Sequence, residues 1–167
     1  MVLAGLVLGD AAVRDGRNAL HTQSYGAQMR GGTSMSDVII AEGDIDYPRI
    51  LKADILLAMN PETFEKYARE VAIDGTTIVD SSTIPAVDIP NSLLFPISAI
   101  AKRVTGTVTT ASMVALGIIV GLTKVVSPEA ILAAVDARVP QGSKGVNRDA
   151  LLAGLDEGSK VEKAIHA

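Results

Sequence analysis

Residues 53–59, ADILLAM, form an apolar run of strand length that stops at Asn60-Pro61, and residues 62–71 then follow at helical spacing before a second apolar run, TTIVD, at 76–80. A strand, a helix and another buried strand in close succession leave few arrangements open. The two runs are apolar on both faces, and that suits a parallel sheet covered by helices on either side. The remainder of the chain agrees. Apolar residues make up 48% of it and aromatics only 3%, so the core must be built from closely packed Ala, Val, Ile and Leu. Layered α/β proteins are built in this way. A chain of 167 residues suits one domain over 1–167. The expected architecture is therefore α/β, three-layer α/β/α, with a mostly parallel sheet.

Around this unit, Val2–Arg14 reads as a well-buried first helix with Gly16 at the left-handed cap position. Asn18–Thr22 and Ser36–Ala41 read as strands, and Ile45–Leu51 as a turn or short helix. Gly75 reads as a turn, residues 81–90 as a loop punctuated by Pro85 and Pro90, and Leu93–Pro96 as a further short strand. Ile97–Arg103 suggests a helical turn. Residues 110–122 form an uncharged helix in which Gly117 and Gly121 invite close packing, and Ser127-Pro128-Glu129 opens a helix running to about Val139. A last helix capped by Asn147 should fray after Gly158.

The stretch TQSYGAQMRGGTSMSDVII, 22–40, is the best candidate for binding. A polar, glycine-bearing loop enters an apolar strand. Gly26, Gly31 and Gly32 let backbone N–H groups come close to a ligand or neighbouring chain, Arg30 contributes a permanent forked cation, and Tyr25 a flat face with a hydroxyl. An arginine beside such backbone suits a phosphate or carboxylate, and an interface salt bridge fits equally well.

Other polar residues have plainer readings. His21, within a strand, reads as structural rather than as a base, and Asp44 with Asp46 lack a third ligand at metal-binding spacing. Ser81-Ser82-Thr83 follow a strand end, where crevices of open sheets form, but ordinary turn chemistry accounts for them as well. The net charge of −4 does not suit a nucleic-acid binder. The absence of cysteine excludes disulfides and cluster ligation by these residues and is compatible with a reducing cytoplasm. No basic residue precedes the apolar start MVLAGLVLGDAAVR, so it does not read as a signal peptide. The uncharged residues 104–123 approach membrane-spanning length, but their Thr- and Gly-rich first half favours a buried helix.

Several motifs, in collinear order over nearly the whole chain, carry a specific resemblance: VLAGLVLGDAAVRDG, TQSYGAQMRGGTSMSDVII, Asp46-Tyr47-Pro48, ADILLAMN, and ASMVALGIIVGL with its Ser-Pro-Glu helix start and Arg-Val-Pro end. Together they resemble the gamma subunit of 2-oxoacid:ferredoxin oxidoreductases. The 2-oxoglutarate branch is nearest, with the pyruvate and 2-ketoisovalerate branches open. Members usually carry a strand and a Gly-Gly-Gln-Gly turn immediately before the segment that here is Val2–Gly5, so the expectation is that this first strand and glycine-rich turn are missing. Ser112 stands where members often have asparagine.

The resemblance implies a multi-subunit enzyme that decarboxylates a 2-oxoacid on thiamine diphosphate with Mg, sends electrons through Fe–S clusters to ferredoxin and passes the acyl group to coenzyme A. It further implies that the alpha, beta and sometimes delta subunits hold those cofactors, and that this chain supplies no catalytic residue or metal ligand. On this reading Tyr25, Gly26, Arg30, Gly31 and Gly32 face coenzyme A or a partner subunit, and Arg30 meets a CoA phosphate or a partner carboxylate. The expected setting is cytoplasmic, without nucleic acid or membrane. The isolated chain should be inactive and able to form a homodimer. Two alternatives remain: a free-standing α/β module for a nucleotide or CoA-like ligand, and a structural homo-oligomer.

Overall fold

The structure is a computed structural model that describes residues 1–25 and 34–165. Helix α1, Val2–Arg14, leads through Gly16 at φ 80° into strand β1, Asn18–Tyr25, and β2, Ser34–Ala41, returns beside it. Only glycine adopts that left-handed φ without strain, so Gly16 ends the helix as the sequence predicts. The pair is antiparallel and in unbroken register from Asn18 opposite Ala41 to Tyr25 opposite Ser34. Both strands are longer than the apolar residues alone indicate, because cross-strand pairing recruits polar Gln23 and Ser24.

The βαβ unit forms as the pattern requires. Strand β3, Ala53–Ala58, is followed by α2, Pro61–Tyr67, and by β4, Val71–Asp80, which pairs parallel to β3. Pro61 occupies the first helical turn, where its missing N–H does no harm, and the Asn60 side chain accepts from Thr63 N–H at 2.8 Å. Strand β5, Ser92–Phe95, adds parallel to β4 in the order β3-β4-β5. The five strands thus divide into a parallel three-stranded sheet and an antiparallel pair.

Period-2 alternation sorts the parallel strands between two cores. Ile55, Leu57, Ile78 and Leu93 point into the main core, whereas Ala58 and Val79 point the other way, onto Phe64 of α2 with Ile84 and Val87. The main core is closed by α1 together with α3, Ile97–Thr105, α4, Ala111–Thr123, α5, Pro128–Arg138, and α6, Lys144–Ile165. Helices therefore lie on both faces of the sheet, and the α/β architecture read from the apolar runs is present.

Helix α4 is buried on nearly all sides, as its uncharged sequence predicts. Gly117 and Gly121 meet Gly154 and Gly158 of α6 so closely that a Cβ on Gly117 would lie 2.7 Å from Leu155 N and one on Gly158 2.9 Å from Leu122 N. Three local expectations are corrected here. Gly75 is no turn but a buried strand residue beside a β3/β4 register shift, where a Cβ would lie 2.8 Å from the Ala53 carbonyl. The segment Ile45–Leu51 forms no helix; four of its seven residues fall in Asp46-Tyr47-Pro48-Arg49, which is exposed and gives no apolar face to dock. Helix α6 begins at Lys144, with Asn147 inside it donating to the Ser143 carbonyl, and it runs past Gly158 to Ile165 because that glycine is its contact with α4. Among the described residues no helix is long and apolar enough to cross a membrane.

Candidate functional site

Open parallel sheets present their ligand crevices at the carboxyl ends of the strands. In this chain that edge is filled by its own side chains. Asp80, the last residue of β4, is fully buried (0% exposed). Its carboxylate accepts from Ser82 N–H at 3.0 Å, from Ser98 N–H at 3.2 Å and from the Ser98 hydroxyl at 2.5 Å. The Ser82 hydroxyl accepts from Ala99 N–H at 3.3 Å, and Thr83 donates to the Met59 carbonyl at 3.0 Å.

The first N–H groups of α3, which lack intrahelical partners and favour negative charge, thus receive an internal carboxylate and hydroxyl. Ser81-Ser82-Thr83 perform turn chemistry rather than line an open crevice. Helix α5 is treated alike: Asp15 accepts from Ser127 N–H at 2.6 Å and from its hydroxyl at 2.7 Å, while the Ser127 hydroxyl accepts from Ala130 N–H.

The strand pair β1/β2 is the other candidate, because it carries the loop singled out by sequence. Gly26, Arg30, Gly31 and Gly32 lie outside the described residues; Tyr25 is placed as the last residue of β1, opposite Ser34. What the structure defines is the mounting. On the face toward α1, His21 Nε2 and Ser36 Oγ lie 2.8 Å apart beneath Gly5, where a Cβ would approach His21 Nε2 to 2.8 Å. His21 is thereby an internal tie between strands, as its plain reading holds. Asp37 lies on the opposite face, and burial pushes its carboxyl above the ordinary range, with His21 lowering it and Glu70 raising it.

Asp44 and Asp46 stand exposed after β2. An open recess of about 380 Å³ lies between α2 and the loop after β4, lined by Phe64, Ala68, Arg69 and Ile89. The partnership of Asp80 with Ser98 escapes sequence reasoning, although a strand-ending Asp followed by serines and a Pro96-Ile97-Ser98 helix start was the available signal. The pairing of Asp15 with Ser127 had no local signal at all.

These features define a layered α/β domain that caps the starts of α3 and α5 with its own side chains and carries an antiparallel strand pair against α1. The chain belongs to the pyruvate ferredoxin/flavodoxin oxidoreductase family, which residues 1–157 match. It is 33% identical to the 2-oxoglutarate synthase subunit KorC of Methanocaldococcus jannaschii over 99% of this chain and 89% of that one. The keto/oxoacid ferredoxin oxidoreductase gamma subunit of Geobacter sulfurreducens superposes with a TM-score of 0.82 at 36% identity, covering 95% of this chain and 91% of the other. The 2-oxoglutarate:ferredoxin oxidoreductase of Magnetococcus marinus, solved with 2-oxoglutarate, coenzyme A and succinyl-CoA bound, shares the fold at a TM-score of 0.79 and 19% identity, over 96% of this chain and 28% of that one. The chain is accordingly an oxidoreductase subunit of the 2-oxoacid:ferredoxin type.

Proposed function

We propose that this chain is the gamma-type subunit of an oxidoreductase that converts 2-oxoglutarate and coenzyme A to succinyl-CoA with reduction of ferredoxin, and that it acts through contact with alpha and beta partner subunits rather than by chemistry of its own. Its near full-length similarity to a 2-oxoglutarate synthase subunit carries the choice of substrate. The donor set supports the division of labour: with no cysteine in 167 residues, the chain does not fit an Fe–S cluster. Thiamine diphosphate and Mg belong to the partners on this reading. The self-capped ends of α3 and α5 also disfavour a free-standing phosphate-binding module, since their N–H groups already have acceptors.

The ribbon loop faces coenzyme A or a partner through Tyr25, Gly26, Arg30, Gly31 and Gly32, with Arg30 meeting an acidic group. The test is reconstitution of the co-expressed complex, assayed by ferredoxin reduction with 2-oxoglutarate, pyruvate and 2-ketoisovalerate in turn. Preference for 2-oxoglutarate and loss of activity without this chain are expected; preference for another 2-oxoacid overturns the substrate. In the same complex Arg30→Ala should raise KM for coenzyme A or weaken assembly, and unchanged values of both overturn the role of the loop.

A further inference from the structure

We draw no further inference here: the strongest candidate, the groove of about 230 Å³ between α1, β1 and α5 that is walled by Leu6, Val13 and Ala19 and bordered by Arg138, is an apolar surface whose Arg138 already pairs with Asp10, and nothing in the structure shows what covers it.

Discussion

Asp80 and Ser98, the last residue of β4 and the second of α3, are joined twice: the Ser98 backbone N–H and the Ser98 hydroxyl both donate to one buried carboxylate oxygen. This joint fixes the angle at which α3 leaves the sheet. It also occupies the N-terminus of α3 at the carboxyl end of β4.

Removing the carboxylate takes a fully buried acceptor away from the Ser82 and Ser98 N–H groups and from the Ser98 hydroxyl. Asp80→Ala should therefore destabilise the chain by about 3 kcal/mol, in the range for a buried charged partner lost. Ser98→Ala, which keeps the backbone donors paired, should cost about 1 kcal/mol. Urea unfolding of the two variants measures the difference, and equal losses would refute the assignment of Asp80 as the hub.

The contact between α4 and α6 leaves no room for a methyl group. A Cβ on Gly117 would lie 2.7 Å from Leu155 N, and backbone cannot swing aside as a flexible side chain can. Gly117→Ala should cost about 2 kcal/mol or more despite the better helix propensity of alanine, which alone would favour the variant by about 1 kcal/mol. Gly145→Ala, in the first turn of α6 with nothing within 4 Å of its Cβ, is the control and should be neutral or stabilising. Melting temperatures of the pair decide the matter.

Hydrogen bonds from the Ser127 backbone N–H and hydroxyl hold the Asp15 carboxyl below its ordinary range, with Arg17 adding to the effect. A carboxylate whose folded pKa lies below its unfolded value of about 3.9 contributes stability that is complete above that value and fades as pH falls through the folded one. Asp15→Asn should lose about 1 kcal/mol at pH 7, the usual worth of a helix cap. It should also melt with a shallower pH dependence below about pH 4 than the parent. Parallel acid limbs for the two proteins would contradict this.

Gly5 lets α1 settle onto His21 and Ser36. Gly5→Ala should push the helix off the ribbon and lower the melting temperature by a few degrees, corresponding to about 1–3 kcal/mol of overpacking. Adding Ser36→Ala to Gly5→Ala should restore part of the loss. A double variant no better than the single one would show that the strain lies elsewhere.

The architecture was legible where a signal is local and periodic. ADILLAM and TTIVD declared buried parallel strands, Asn60-Pro61 and Ser127-Pro128 declared helix starts, and Gly16 declared an end. Illegible features depend on partners distant in the chain. Gly75 resembles a turn until β3 is seen lying against it, and Gly158 resembles a fraying point until α4 lies against it. At the candidate site, sequence located the strands of the pair β1/β2 but could not reveal that Asp80 and Asp15 already occupy the N-termini of α3 and α5.

The unbroken pairing from Asn18 opposite Ala41 to Tyr25 opposite Ser34 gives the ribbon a parity. Because successive side chains alternate between faces, a single residue inserted into β1 after His21 would exchange the faces of Thr22, Gln23 and Ser24, while a two-residue insertion would restore them one step further out. Changes in how far this arm extends must therefore come in even increments if its aim is to be preserved.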